Sequence, residues 1–182
     1  YPEARCVAWI AGCANCGQQI NEMKHFIARL NYSKILQGFK YLSSTSPLAV
    51  PFPLMPEIAG ATPRVACARY KEWDRCDLSY VTFDAGTTVA GVTTQNLCCS
   101  AEVDLCRAHL QHGRARALVV NAGNSNAFTG QRGKDAVDAI TGQVAAHLNC
   151  DLTEIFVSST GVIGVPLPID KAQAGLQAVF NA

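Results

Sequence analysis

The chain has 182 residues, 49% of them hydrophobic and only 16% charged, with a formal net charge of +1. This is enough for one domain with a substantial core, and too apolar for a disordered segment. The near-neutral balance and the lack of a basic stripe interleaved with aromatics argue against a nucleic-acid partner, and no apolar run is long enough to suggest a membrane span.

Residues 1–45 read as an atypical N-terminal extension that begins at Tyr1 rather than Met. Cys13 and Cys16 form a lone C-x-x-C, which with Cys6 and His25 could be assembled into a zinc site. A second close pair of ligands is missing, so unpaired thiols are the expected reading and no metal is assigned. Ile20, Met23, Phe26, Ile27 and Leu30 recur at helical spacing beside Lys24, Arg29 and Lys34. That pattern suits a helix with a solvated face better than a surface-binding basic helix or a presequence. The nine cysteines are odd in number and scattered. They fit free thiols in a reducing compartment, the cytoplasm or, in a eukaryote, the mitochondrial matrix, better than a disulfide framework. No secretory signal pattern precedes them.

Ser43 to Pro47 marks a boundary, and residues 46–182 form the main domain. Pro47, Pro51, Pro53 and Pro56 enforce an extended lead-in. Val65 to Ala68 is a short apolar strand. Leu78 to Phe83 and Thr87 to Thr94 are β-rich runs around the turn Asp84-Ala85-Gly86, which predicts an antiparallel hairpin. Ala101 to His112 follows as a helix ended by Gly113, with Val103, Leu105, Cys106 and Leu110 near one face. His109 and His112 near its end suit surface or capping roles rather than catalysis.

Ala115 to Val120 is a buried strand that runs into a loop dense in Asn and Gly, Asn121 to Gly130. Asn and Gly tolerate left-handed backbone, and Asn amides can brace neighbouring chain. Lys134 to Leu148 is a helix with Val137, Ile140, Val144 and Leu148 on one face. Asp151 to Glu154 is a polar turn into the strand Ile155 to Val157. The run Ser158-Ser159-Thr160-Gly161 then reads as a strand-to-helix turn, with Pro166 and Pro168 opening a helix from Ile169 to Phe180. A small, hydroxyl-bearing turn beside a helix start can gather donors around a negative charge, including an acyl-transfer oxyanion. The Asn-rich loop and this one converge if their strands are neighbours. The class is mixed α/β with a partly antiparallel sheet. G-x-S-x-G, Walker and H-E-x-x-H motifs are all missing.

Two long motifs carry a resemblance. Val119-Val-Asn-Ala-Gly-Asn-Ser-Asn-Ala-Phe-Thr-Gly130 followed by Ser159-Thr-Gly-Val-Ile-Gly-Val-Pro-Leu167 is similar to the ornithine acetyltransferase (glutamate N-acetyltransferase) family of arginine biosynthesis. Ser46 to Ala49 and Asp84 to Val92 resemble its N-terminal part, so the likeness spans about residues 46–182. The resemblance implies a layered αββα sandwich, of the kind shared with self-processing aminopeptidases and incomplete in this chain. It implies a precursor that cuts itself before an internal Thr and keeps both pieces as α and β chains. The new N-terminal Thr carries acetyl from N-acetylornithine to glutamate in a ping-pong cycle. No cofactor is implied, although acetyl-CoA serves some members as a co-substrate, and αβ pairs form an oligomer.

By position, the family's oxyanion-hole pair falls on Thr160 and Gly161. The chain ends at Ala182, ahead of the segment where the family's nucleophilic Thr lies, and residues 1–45 match nothing in the pattern. The expectation is therefore an N-terminal α-chain part that is inactive by itself and contributes the oxyanion hole. The alternatives are a related self-processing aminopeptidase and a non-catalytic fragment or interaction module.

Overall fold

The computed structural model describes residues 6–11, 48, 50, 56–73 and 75–181. Cys13, Cys16, His25 and the amphipathic pattern from Ile20 to Leu30 lie outside the described residues.

The chain order is β1 (Cys6–Ala11), β2 (Ala61–Ala66), β3 (Leu78–Phe83), β4 (Thr88–Thr93), α1 (Ala101–His109), β5 (Ala117–Asn124), α2 (Gln131–Leu148), β6 (Ile155–Val162) and α3 (Ile169–Phe180). Single 3-10 turns follow α1 and precede β6. Four strands form a mixed sheet in the order β2-β3-β5-β6. The first two pairings are antiparallel and β5–β6 is parallel, joined through α2. β1 pairs in parallel with β4 in a separate two-stranded sheet.

The four-stranded sheet is buried on both faces. On one face Tyr80, Ala117, Val119, Ile155 and Val157 pack against Ile140 and Val144 of α2 and Leu176 and Val179 of α3. On the other, Val81, Leu118, Val120 and Phe156 meet Val89 of β4 and Cys106 of α1. Strands covered on both sides need nearly continuous apolar sequence, which explains Ala117 to Val120 and Ile155 to Val157. Each fully buried Ile, Leu or Val contributes about 1.5–3 kcal/mol relative to an exposed one. The result is a helix layer on one face of a mixed sheet, with Val89 of β4 and Cys106 of α1 on the other, a mixed α/β architecture.

The helices follow the periodicity in the sequence. Val137, Ile140 and Val144 are buried along α2 with Leu148 partly so, and α2 starts three residues before Lys134. α3 spans Ile169 to Phe180 as expected, after Pro168 at its N-cap. α1 ends at His109, and the 3-10 turn Leu110–His112 stops at Gly113, whose φ of 65° needs no Cβ.

Three expectations require correction. β3 and β4 do not form a hairpin. Thr87 closes the turn onto the Asp84 carbonyl, but β3 pairs with β2 and β5 while β4 leaves for the second sheet. The local turn signal was right, and the pairing was decided by distant strands. The strand expected at Val65 to Ala68 lies at Ala61–Ala66 and admits Pro63, which an edge strand tolerates. Ser158 to Gly161 is not a turn but the second half of β6, and Asn121 to Asn124 likewise extends β5. Each segment supplies the other's backbone partners, and that pairing overrides the weak strand preference of Ser, Asn and Gly.

Candidate functional site

The two motifs meet as neighbouring parallel strands. Asn121 is in register with Ser159, Ala122 with Thr160, Gly123 with Gly161 and Asn124 with Val162. Thr160 is buried and Gly161 half-buried, next to the exposed side chains of Val162 and Ile163. At the Gly123–Gly161 pair the backbones press together. A Cβ on Gly161, whose φ is 132°, would stand 2.5 Å from the Gly123 carbonyl oxygen and 2.8 Å from the Asn124 nitrogen. Glycine is the residue this crossing requires.

Past the strands, the two loops are stitched to each other. Ser125 donates from both its backbone N–H and its hydroxyl to the Val162 carbonyl, each at 3.0 Å. The Gly164 N–H donates to the Ala127 carbonyl at 2.8 Å, and Asn124 Nδ2 reaches the carbonyls of Val165 and Pro166 at 3.2 and 3.3 Å. The Asn-rich loop is braced within itself as well. Asn126 and Phe128 hold left-handed backbone, at φ of 53° and 58°. Asn126 Nδ2 donates to the Gly133 carbonyl, and Thr129 Oγ1 lies 2.9 Å from the Asn126 carbonyl and 3.0 Å from its Oδ1. These amides serve the backbone bracing expected of an Asn-dense loop.

Beneath the pair, Ser159 Oγ lies 2.5 Å from Asn121 Oδ1 and 2.5 Å from Glu102 Oε1. Glu102 is only 2% exposed although it stands in the first turn of α1. Burial raises its pKa above the usual carboxylate range, against the lowering influence of Ser159, its own backbone N–H, Asn126 and Ser100. Glu102 did not emerge as a candidate from the sequence. The signal was present: Glu102, Cys106 and Leu110 fall at helical spacing, which places an acid in an otherwise apolar stripe.

α1 covers the free edge of β6. His109 Nδ1 donates to the Ile155 carbonyl at 2.8 Å, and Cys106 Sγ donates to the Val157 carbonyl at 3.3 Å. Glu102 meets Ser159 in the next step of the same progression. One helical turn advances about as far as two strand residues, so a single helix face can serve alternate positions of an edge strand. His109 thus caps a strand edge and His112 is exposed. These placements match the capping and surface roles expected of the two histidines.

Among the described residues, no group of three or more His, Cys, Asp or Glu side chains could hold a metal ion. No helix among them is long and apolar enough to cross a membrane. Cys67, Cys76, Cys98, Cys99, Cys106 and Cys150 are free thiols.

Comparison with known proteins gives one answer. Residues 63–182 match the model of the ArgJ family. The chain is 58% identical over 142 residues to the arginine biosynthesis bifunctional protein ArgJ of Zymomonas mobilis, covering 78% of this chain and 35% of that protein. The protein of the same name from Brucella suis is 48% identical over 130 residues, 71% of this chain and 32% of its own length. The chain thus spans about a third of the curated relatives it matches. Among solved structures, the ornithine acetyltransferase of Mycobacterium tuberculosis, complexed with ornithine, superposes with a TM-score of 0.65 at 35% identity, covering 68% of this chain and 67% of that one. The arginine biosynthesis bifunctional protein ArgJ of Bacillus halodurans gives 0.62 at 28% identity, over 65% and 62%. The mixed α/β fold is the one these structures share, and the chain belongs to the ArgJ family.

Proposed function

We propose that this chain is the oxyanion-binding part of an acetyltransferase that moves acetyl from N2-acetylornithine to L-glutamate, releasing ornithine and N-acetylglutamate. The observation that carries the reading is the parallel register of the two motifs, which sets Thr160 and Gly161 beside the braced Asn124–Gly130 loop. Family membership supplies the reaction class, and the ornithine named with the Mycobacterium tuberculosis structure supports the substrate.

In this reading, the nucleophile is an N-terminal Thr on a β chain cut from the same precursor, outside the present residues. Its hydroxyl attacks the acetyl carbonyl, and the carbonyl oxygen takes the developing negative charge. The Thr160 hydroxyl and the Gly161 backbone N–H donate to that oxygen. Donors held by a strand pair and a stitched loop need little rearrangement when the charge appears, which favours the transition state over the ground state. Collapse expels ornithine and leaves an acetyl-enzyme, which glutamate then attacks through its amine. Acetyl-CoA serves as an alternative donor. The chain by itself is inactive, and αβ pairs assemble further.

The exposed apolar side chains around the strand ends, Phe128, Val162, Ile163 and Val165, suit a surface covered by the β chain. The free thiols suit the cytoplasm or another reducing compartment such as the mitochondrial matrix.

Thr160→Ala in the protein expressed at its full length tests the assignment. Loss of one oxyanion donor lowers kcat by about one hundred- to one thousandfold, and Thr160→Ser restores a large part of it. Turnover close to that of the unsubstituted protein removes Thr160 from the oxyanion hole. Peptide hydrolysis without acetyl transfer to glutamate selects the self-processing aminopeptidase reading instead.

A further inference from the structure

We propose that Glu102 is a neutral carboxylic acid that donates a hydrogen bond to Ser159, and that it acts as a positioning residue for the Thr160–Gly161 segment. Ser159 Oγ is 2.5 Å from two oxygens, Glu102 Oε1 and Asn121 Oδ1, and a serine hydroxyl owns one proton. The Asn121 amide is oriented by its other end, because Nδ2 donates to the Asn124 carbonyl at 3.0 Å. Its Oδ1 is therefore the atom facing Ser159, and it can only accept. The Ser159 proton goes to Asn121. The short contact between Ser159 and Glu102 then needs a proton from Glu102; with a carboxylate, two acceptors would face each other with no hydrogen between them.

The surroundings agree. Among the described residues, Glu102 Oε2 has no hydrogen-bond partner, although the residue is almost completely buried. A buried carboxylate with an unpaired oxygen is far more costly than a neutral acid whose carbonyl oxygen is unpaired. Ser159 from β6, Asn126 from the loop after β5, and Ser100 and the Glu102 backbone N–H at the start of α1 each favour the charged form, but none of them carries a charge of its own, and burial outweighs them. The titratable neighbour along α1 is the Cys106 thiol, which burial pushes up to about 12, so it too is neutral. The α1 N-terminus favours a negative charge, but only modestly. Desolvation dominates, and the acid's pKa is raised.

The relay runs from Glu102 to Ser159 to Asn121 to the Asn124 carbonyl. It ties α1 to the β5–β6 pair at the Asn121–Ser159 register position, directly before Thr160. The positioning role rests on the proposed oxyanion function; the protonation state does not.

The test uses the protein expressed at its full length and two variants. A difference infrared spectrum of the unsubstituted protein against Glu102→Gln at neutral pH is expected to show the C=O stretch of a protonated carboxylic acid. Carboxylate bands in its place overturn the proposal. Stability against pH gives a second reading. A folded-state pKa above the unfolded value means that the folded protein holds an extra proton, so its contribution is complete at low pH and is lost as pH rises through the folded pKa. Glu102→Gln keeps a donor toward Ser159 and removes that loss. Its melting temperature is expected to match or exceed the unsubstituted protein's at mildly alkaline pH, with a flatter profile; a lower value at every pH overturns the proposal. For positioning, Glu102→Ala is expected to lower kcat about tenfold with KM little changed, as for an interaction made only in the transition state, and Glu102→Gln to restore it. An unchanged kcat in the alanine variant overturns the positioning role even where the infrared band is present. Absence of acetyl transfer in the unsubstituted protein overturns the proposed function and leaves the infrared and stability readings intact.

Discussion

Gly161 stands opposite Gly123 across the parallel β5–β6 ladder, and the two backbones approach so closely that a side chain at Gly161 has no room. Its φ of 132° is also one that side-chain-bearing residues rarely adopt. Gly161→Ala therefore meets a steric and a conformational penalty at once, together at least about 2 kcal/mol. Equilibrium denaturation measures it, and an unchanged stability contradicts the tight crossing. The same result decides how activity data are read, since alanine keeps the backbone N–H and lost turnover in Gly161→Ala would report a displaced backbone rather than a deleted group. Thr160→Ala is the cleaner probe of chemistry.

Asp77 organises the approach to β3. Its buried carboxylate accepts from the backbone N–H groups of Ala68 and Tyr70 at 2.7 Å and of Arg69 at 3.2 Å, with Arg69 in left-handed backbone at φ 56°. Tyr70 in turn packs where a Cβ on Gly123 would stand 3.3 Å from its own Cβ. Asp77→Ala orphans three donors at once and is expected to cost roughly 3–5 kcal/mol, since each bond to a charged acceptor is worth about 1.5–3 kcal/mol. A change in chemical denaturation below about 1 kcal/mol would show that water replaces the carboxylate without penalty.

His109 is expected to make the fold acid-sensitive. Burial lowers its pKa, the His112 charge acts in the same direction, and the bond to the Ile155 carbonyl opposes them. With the folded-state pKa below the unfolded value, the unfolded chain binds the proton first as pH falls. The contribution is complete above the ordinary histidine pKa and is lost on acidification toward the lowered one. His109→Gln is expected to flatten the melting-temperature profile across that window. A profile that remains parallel to the unsubstituted protein's assigns the acid sensitivity to other groups.

Cys67 and Cys76 flank the β2–β3 connection with their sulfurs 2.8 Å apart. Burial and the neighbouring Cys67 push Cys76 up to about 12, so Cys76 is expected to stay a thiol at neutral pH. Prolonged incubation with an oxidised low-molecular-weight disulfide is expected to join this pair before other described thiols, with release of two reduced thiols from the reagent. Peptide mapping checks it, and Cys67→Ser abolishes the product. Cross-linking elsewhere at the same rate removes the special proximity.

Much of this molecule was legible from residue order. Apolar spacing located α1, α2 and α3, because a helix buries one stripe whatever it packs against. The apolar cores of β5 and β6 and the two motifs were equally plain, and the motifs carried the family. What remained hidden depended on partners distant in sequence. The Asp84–Gly86 turn looked the same whether β4 paired with β3 or left for another sheet, and only β2 and β5, by occupying both edges of β3, decided it. Ser158 to Gly161 looked like a turn because small polar residues are weak strand formers, and became strand because Asn121 to Asn124 completed its backbone hydrogen bonds. Glu102 looked like an ordinary acid in the first turn of a helix. Only the docking of α1 along the edge of β6 buried it against Ser159, and burial, a property no single segment possesses, turned a charge into a proton donor.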